Sequence, residues 1–258
     1  MDISRRDALS GMGCLALGAA SGLLAAPVKS TDKKSMAVPW PYAELNADRV
    51  AERAYKNYFS HHCMYASFEA IVGQLADQFG EPFSSFPFAM MVYGGGGVAG
   101  WGTLCGTLNG AAAAIQLLSH HPTTLISELY RWHEVTALPN VELNVPADKD
   151  GLYPASSRVE PSVSGSVLCH IIMSKWLKES GHDMGSAEKK QRCAQAAASV
   201  AKKTVELLND DSHGELVLRH QLSKKTQSCS TCHTGVDSLV KNTQGKMECM
   251  TCHADHTK

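Results

Sequence analysis

The amino-acid sequence predicts an all-α fold. Apolar residues recur at helical spacing along most of the 258 residues, and residues 186–208 show the clearest amphipathic pattern, with alanines and valines near one face and lysines on the other. Gly80 and Gly181 stand directly after two of the periodic segments, where glycine commonly ends a helix. Residues 83–93 are aromatic and short, and look strand-like or extended.

Two helices are predicted before Gly80. Apolar side chains repeat at helical spacing in residues 42–58. The next helix runs from about Cys63 and stops at Gly80, because Pro82 follows shortly beyond it.

The pattern in the middle of the chain predicts two helices and one long connection. Residues 103–118 follow a glycine-rich loop and are alanine-rich, which predicts a helix that packs closely against its neighbours. Residues 122–135 form a further helix. Four prolines and scattered charges between residues 137 and 162 indicate an irregular connection.

The pattern in the last third of the chain predicts two longer helices, followed by a segment without regular structure. Residues 164–180 and 186–208 are helical, and a short helical piece follows through Leu222. From Thr226 onward the chain is irregular and rich in cysteine and histidine, so a bound group has to supply its core.

Two motifs near the C-terminus indicate the chemistry of that group. Residues 229–233 and 249–253 each read Cys-x-x-Cys-His, the attachment sequence for c-type haem. The cysteines of each motif lie one helical turn apart, so both thiols reach the vinyl groups of one porphyrin, and the adjacent histidine falls under the iron. The sequence therefore predicts two covalent haem c groups on four cysteines with two proximal histidines: Cys229, Cys232, Cys249, Cys252, His233 and His253.

A four-cysteine zinc ribbon is the main alternative, because it has the same doubled Cys-x-x-Cys spacing. The histidine favours haem, since it follows the second cysteine in both copies and a zinc ribbon has no use for a fifth ligand there. A zinc-binding structural module would give a colourless protein. A dithiol redox pair is less favoured, because no βαβ pattern surrounds either motif.

The N-terminus indicates export. Arg5 and Arg6 form a twin-arginine start, and residues 9–26 are apolar but rich in glycine and alanine. That stretch is too short for a membrane-spanning helix of about 20 apolar residues, and no later segment is a candidate. We therefore expect a twin-arginine signal peptide and tail within residues 1–30, a periplasmic location and no stable membrane insertion. Because this pathway carries folded cargo, it also hints at a second cofactor, inserted before export.

Four of the nine cysteines remain after Cys14 is assigned to the signal and four to haem: Cys63, Cys105, Cys169 and Cys193. Two disulfides, four buried thiols or a four-cysteine zinc site would account for them. A four-thiolate iron–sulfur site is favoured by their context.

Helix starts are the context that favours an iron–sulfur site. Cys63 opens one predicted helix and Cys105 stands near the start of another, where free backbone N–H groups and the positive end of the helix dipole stabilise thiolates. Cys169 and Cys193 lie within two further helical patterns, so four helices can converge on one site. Disulfides would not need cysteines at helix starts.

The sixth ligands of the haem irons are sought among the other histidines. Three candidates stand out by position: His120, His121 and His220. The first two lie where the chain turns at Pro122, and His220 precedes the first haem motif. Methionine ligation by Met247 or Met250 stays open, but bis-histidine ligation is favoured because methionine would raise the reduction potential.

Two function classes are disfavoured by the sequence. Gly95, Gly97 and Gly100 match G-x-G-x-x-G, but no strand–helix alternation follows and no acidic ribose partner is placed downstream, so a dinucleotide site is improbable. The glycines instead allow the backbone to approach something bulky. The formal net charge of −1 and the absence of a basic patch argue against nucleic-acid binding.

These residues resemble a known family. Cys63, the 94–102 loop running into residues 104–111, and the two later cysteines are similar to the redox-active family named for its C-GCAxxG-C-C pattern. With the signal in front and two haem motifs behind, residues 42–258 resemble the split-Soret cytochrome c family of sulfate-reducing bacteria. The chain departs from the family pattern because no cysteine follows the glycines directly, which leaves four cysteines for one cluster and none spare.

The resemblance implies a periplasmic homodimer with two haems per chain close together near the dimer interface, where one axial histidine comes from the other subunit. It also implies a [2Fe-2S] cluster on the four remaining cysteines. We therefore expect three regions: residues 1–30 as signal and tail, 42–210 as a helical domain around an iron–sulfur site, and 211–258 as an irregular dihaem segment.

The leading functional prediction is a periplasmic electron-transfer protein that exchanges single electrons with soluble partner proteins and is not itself an enzyme. The alternative is a periplasmic redox enzyme that reduces a small molecule such as nitrite at a haem, which requires an open iron position.

Overall fold

The computed structural model describes residues 37–256, so the proposed signal and Cys14 lie outside the described residues. Six α-helices account for about half of this part of the chain: α1 (Ala47–Phe79), α2 (Gly106–Leu118), α3 (Pro122–Val135), α4 (Cys169–Ser180), α5 (Ala187–His213) and α6 (Lys224–His233). Two short strands, β1 (Ala137–Leu138) and β2 (Ser162–Val163), pair antiparallel. The prediction of a helical fold is confirmed.

Helix α1 joins the two helices predicted before Gly80 across a kink. Asn46 caps its start, since the side-chain Oδ1 accepts a hydrogen bond of 2.9 Å from the backbone N–H of Arg49. His61 and His62 leave the helical conformation, and His62 has φ 64° and ψ −166°. A positive φ at a residue with a Cβ is strained, so the surrounding packing has to hold this kink in place.

Residues 83–93 are not a strand, and that prediction is wrong. They form two 3₁₀ turns, Phe83–Ser85 and Phe88–Gly94, each entered from a proline. The three phenylalanines that suggested a strand pack against the core instead, where the Phe86 ring lies 4.7 Å from that of Phe68. Aromatic side chains can pack against a core from 3₁₀ turns as well as from a β-strand, so their presence alone does not indicate a strand.

Two further boundaries differ from the prediction. Helix α4 begins at Cys169, five residues later than expected, because Leu168 pairs with Leu104 in an antiparallel bridge. Helix α5 continues to His213 and ends at Gly214 in the left-handed conformation, so the short helical piece expected through Leu222 is absent from the described residues.

The predicted irregular C-terminus is partly helical. Ser223 caps helix α6 by accepting a hydrogen bond from the backbone N–H of Thr226, and a 3₁₀ turn spans Cys249–Thr251. The part between them has no regular element. No helix in residues 37–256 combines the length and apolarity that are needed to cross a membrane.

The core forms where α1 packs on α5 and α2. Small residues line these contacts, including Ala54 on α1, Ala111 on α2 and Ala201 on α5, all without exposed surface. The backbones of α1 and α2 come into close contact at Gly110, because a Cβ there would overlap the main-chain carbonyl of Met64 on α1. Because the side chains at these contacts are small or absent, the helix backbones can pack closely together.

We expect Gly110→Ala to lower the free energy of unfolding by about 1–3 kcal/mol, because the added methyl overlaps main chain that cannot move cheaply. Alanine is the better helix former by about 1 kcal/mol, so a loss of stability has to come from the overlap. Urea denaturation followed by circular dichroism measures it. Gly185→Ala is the control, since a Cβ there meets nothing within 4 Å. Equal effects of both changes would contradict the close approach.

Candidate metal and haem sites

Four cysteines meet beside the α1–α5 contact. Cys63 follows the kink of α1, Cys105 is the residue before α2, Cys169 is the first residue of α4, and Cys193 is buried within α5. The first three pack against the buried apolar group that contains Cys193. We call this set the thiol cluster. The structure thus brings together the four residues predicted to form one site.

The thiols are close enough to affect one another's ionisation. Burial raises the pKa of the Cys63 thiol well above its ordinary value, and Cys193 and Cys105 raise it further. Burial also raises the pKa of Cys169 to about 12, with contributions from Cys105 and Cys193. Packing four such groups together is unfavourable for the ionised forms unless a cation lies among them.

The start of α2 directs N–H groups at the sulfur of Cys105, as the sequence predicted. Burial raises the pKa of Cys105, while hydrogen bonds from the backbone of Leu108 and Thr107 in the first turn of α2 oppose that rise. The backbone of Gly96 acts in the same way on Cys63. These donors stabilise thiolate rather than thiol.

The glycine-rich loop covers the thiol cluster. A Cβ at Gly97 would lie 2.8 Å from Cβ of Cys169. The first residue of α2, Gly106, is also close to the thiol cluster, since a Cβ there would lie 2.9 Å from Cβ of Cys63. Gly96 and Gly97 also have positive φ values of 62° and 68°. The loop therefore approaches the thiol cluster as closely as its main chain permits.

The donor set fits an iron–sulfur centre, which is held by cysteine thiolates. All eight cysteines in residues 37–256 are free thiols. Three of the four in the thiol cluster are partly accessible, and Cys193 is buried. Within the described residues, no three His, Cys, Asp or Glu side chains are arranged to hold one metal ion.

The first Cys-x-x-Cys-His motif closes helix α6. Cys229 and Cys232 lie one turn apart there, and His233 is the last residue of the helix. The imidazole Nδ1 of His233 lies 2.9 Å from Oδ1 of Asn242. If Nδ1 carries the proton of that hydrogen bond, Nε2 is the nitrogen available to iron.

Asn242 was missed by sequence reasoning. It lies nine residues beyond His233 in a stretch with no periodicity, so only the fold reveals that it orients the imidazole. A hydrogen-bond partner of this kind fixes the direction of a ligating histidine.

The second motif lies on a 3₁₀ turn, where the backbone N–H of His253 donates to the carbonyl of Cys249 at 3.0 Å. The Thr251 hydroxyl donates to the backbone carbonyl of Gly165 at 2.6 Å. Gly165 lies four residues before Cys169, so the second haem motif touches the loop that leads into the thiol cluster.

A buried ionic network fastens the C-terminal segment, residues 214–256, to helix α3. Arg131 Nη1 lies 3.1 Å from Glu134 Oε2 and 3.2 Å from Glu248 Oε2. The backbone N–H of Glu248 donates to Glu134 Oε1 at 3.1 Å, and the Thr226 hydroxyl donates to Glu248 Oε1 at 2.7 Å. Every oxygen of both carboxylates thus has a partner, as burial requires.

Apolar side chains around the two motifs have little protein to cover them. Val236 is 83% exposed and Leu239 is 85% exposed, and Val240 and Met247 are also exposed. Exposed apolar groups this dense are expected where a large apolar group sits. They fit haem and offer no reason for a zinc site.

The predicted distal ligand His220 lines a cavity of about 620 Å³ between α3 and the C-terminal segment, within the range of cofactor pockets. The apolar part of its lining is large: Ile126, Tyr130, Val167, Leu218, Leu222 and Met247. His220 Nδ1 lies 2.6 Å from Oε1 of the buried Glu128.

Glu128 is held ionised by this contact. Burial acts against its charge, but hydrogen bonds from the His220 side chain and from the backbone N–H groups of His220 and Arg219 hold the pKa of Glu128 below its ordinary value. The carboxylate therefore orients the His220 ring from the Nδ1 side.

The other two distal candidates lie at the junction of α2 and α3. His120 is exposed, and His121 Nδ1 lies 2.8 Å from Oδ1 of Asp211 near the end of α5. The imidazole of His121 is thus paired with Asp211, and its backbone N–H donates to the Ser119 hydroxyl, so neither contact joins His121 to the C-terminal segment.

Comparisons with known proteins show which proteins this chain is similar to. The family described as "Putative redox-active protein (C_GCAxxG_C_C)" matches residues 65–207. Split-Soret cytochrome c from Desulfovibrio desulfuricans is 32% identical over 98% of this chain and 95% of its own length. A solved structure, described as showing a novel iron centre in that cytochrome, superimposes with a TM-score of 0.76 at 32% identity, over 84% of this chain and 91% of the other.

We expect Arg131→Met to release the C-terminal segment, because two adjacent carboxylates then lose their shared cation. Breaking a buried pair costs about 3–5 kcal/mol, so the opening free energy of residues 221–248 should fall by that order. Hydrogen exchange with mass spectrometry measures it. Lys202→Met is the control, since it breaks an exposed pair with Asp48 that contributes about 1 kcal/mol at most. Unchanged exchange in Arg131→Met would show that the network does not hold the segment.

Proposed function

The chain belongs to the C_GCAxxG_C_C redox-active family and to the split-Soret cytochrome c family, and we propose that it is a periplasmic electron-transfer protein with two haem c groups and one [2Fe-2S] cluster per chain. Membership supports a redox role, c-type haem and an iron centre. The convergence of four thiols beside a segment with two Cys-x-x-Cys-His motifs carries the finer assignment.

The haem assignment rests on the C-terminal segment. Cys229 and Cys232 would hold one porphyrin with His233 as proximal ligand, and the second motif would do the same through Cys249, Cys252 and His253. Covalent haem supplies one-electron chemistry at its iron. We propose His220 as a distal ligand, because it alone among the three candidates lines the cavity next to this segment.

The iron–sulfur assignment rests on the thiol cluster. Four thiols in an apolar setting, with helix N–H groups directed at Cys105 and a loop N–H group at Cys63, are suited to a [2Fe-2S] cluster. The glycine-rich loop over them would limit the access of water and so help to set the potential of the cluster.

The two proposed centres lie near one another in this fold. Thr251, inside the second haem motif, donates to the carbonyl of Gly165 at 2.6 Å. Four residues of backbone separate Gly165 from Cys169, so the two Cα atoms are at most about 14 Å apart. Such proximity supports the transfer of electrons between haem and cluster within one chain.

Location and assembly are further parts of the proposal. The twin-arginine start at Arg5 and Arg6 supports folded export to the periplasm, where haem c proteins are found. We propose a homodimer that exchanges electrons with soluble partner proteins, on the strength of the family resemblance.

The mature protein, made in cells that attach haem to exported chains, should carry the mass of two haems after denaturation. Thioether bonds survive denaturant, whereas zinc or non-covalent haem is lost. Mass spectrometry of the denatured chain, with haem staining of a denaturing gel, tests this. Cys229→Ser with Cys232→Ser should leave one haem, and Ser228→Ala, which keeps both thiols, should leave two. A colourless chain with only the polypeptide mass would reject the proposal.

Cys105→Ser should lose acid-labile sulfide and non-haem iron while both haems stay attached, because one missing thiolate opens the cluster but does not touch the haem motifs. Iron and sulfide analysis, with electron paramagnetic resonance of the dithionite-reduced protein, measures this. Thr103→Ser in the same loop is the control, since its hydroxyl can still donate to Gly97. Disulfides predict a different result: no sulfide in the wild type and one new alkylatable thiol in the variant.

A further inference from the structure

A buried arginine lies next to the thiol cluster. Arg192 precedes Cys193 on helix α5 and is only 3% exposed. Its Nη1 lies 3.7 Å from the sulfur of Met173, and the same sulfur lies 3.6 Å from Sγ of Cys193. Its guanidinium carbon lies 5.7 Å from the centre of the Trp176 ring. One side-chain sulfur therefore separates a permanent cation from a candidate ligand.

Arg192 has no carboxylate to balance its charge. Within residues 37–256, none of the ion pairs includes it, and its buried Nε has no hydrogen-bond partner. Guanidinium stays protonated in proteins, so the charge cannot be removed by loss of a proton. An uncompensated buried cation is strongly unfavourable, and a counter-charge is therefore expected nearby.

The neighbours of Arg192 narrow the choice of counter-charge. His133 is buried, and both burial and the Arg192 charge lower its pKa, to about 3, so it is neutral at pH 7 and offers no negative charge. Trp176 and Met173 are neutral. The thiol cluster is the group beside Arg192 that can become anionic.

We propose that Arg192 is the fixed counter-charge of the thiol cluster, a positioning residue whose role is to stabilise the anionic iron–sulfur centre; this rests on the function proposed above. Two ferric ions, two sulfides and four thiolates carry a net negative charge, and one-electron reduction makes it larger. A cation held in the apolar interior therefore favours the loaded centre over the empty one, and the reduced centre over the oxidised one.

The substitution Arg192→Met tests the role of this charge. It is made in the full-length protein that carries its iron–sulfur cluster, which we call the loaded protein. We expect its affinity for cluster iron to fall by about 10–100-fold, the usual effect of removing a group that supports a metal site. The midpoint potential of the cluster should become more negative, while the haem spectra stay the same. Chelator competition and redox-titrated paramagnetic resonance measure both. Arg192→Lys should restore both properties in part, and Arg158→Met, which removes an exposed arginine, should change neither.

The cluster-free protein supplies the second measurement. Arg192→Met should unfold at a higher temperature than the wild type after chelation, because the variant no longer buries an unpaired charge. Arg192→Met thus stabilises the cluster-free protein, whereas it weakens the binding of the cluster in the loaded protein. A role confined to packing against Trp176 and Met173 would destabilise both forms alike, and that result would overturn the proposal.

The two proposals fail in different ways. If the wild type contains no sulfide or non-haem iron, the iron–sulfur assignment is rejected by the wild type alone, and the counter-charge role is rejected with it. If the wild type is loaded and Arg192→Met keeps its iron affinity and cluster potential, only the counter-charge role is overturned.

Discussion

The close packing of α1 against α5 and α2 determines where the thiol cluster forms. Alanines and Gly110 let the helix backbones approach, and the thiol cluster forms at the edge of that contact because Cys63 and Cys193 lie on the two long helices. Cys105 and Cys169 are then added by the starts of α2 and α4, whose backbones are tied together where the N–H of Cys105 donates to the carbonyl of Val167 at 2.9 Å. Each of the four cysteines thus lies in a helix or directly before one, and regular elements of this kind hold ligand side chains more precisely than loops do.

The C-terminal segment is held by hydrogen-bonded charges rather than by apolar packing. Its apolar residues contribute little to the core, and its attachment to α3 runs through hydrogen-bonded charges at Arg131, Glu134 and Glu248. Ionic networks specify position, whereas the gain in stability from burying them is small. A segment with two haem motifs needs a defined place on the protein before it has a core, and a polar attachment provides that.

The sequence predicts more of the helices than of the contacts between them. Both ends of α3 follow from local signals, such as Pro122 at the first helical position, and the position of Cys63 after a break is likewise local. Cys169 was expected inside a helix but begins one, since the Leu104–Leu168 bridge is a long-range contact. Asn242 shows no local signal at all. Arg192 could have been noticed as a cation on the apolar face of α5, but only the fold shows that it lacks a carboxylate.

Among residues 37–256, the two most buried arginines have opposite surroundings. Arg131 is bracketed by two carboxylates, and the pairing accounts fully for its burial. Arg192 is more buried still, yet its neighbours are two sulfurs, an indole ring and a neutral imidazole. Disulfides or protonated thiols would leave that charge unbalanced, whereas thiolates bound to iron would balance it. The electrostatics around Arg192 thus favour an anionic centre at the four cysteines on grounds that do not depend on their spacing or on any relative.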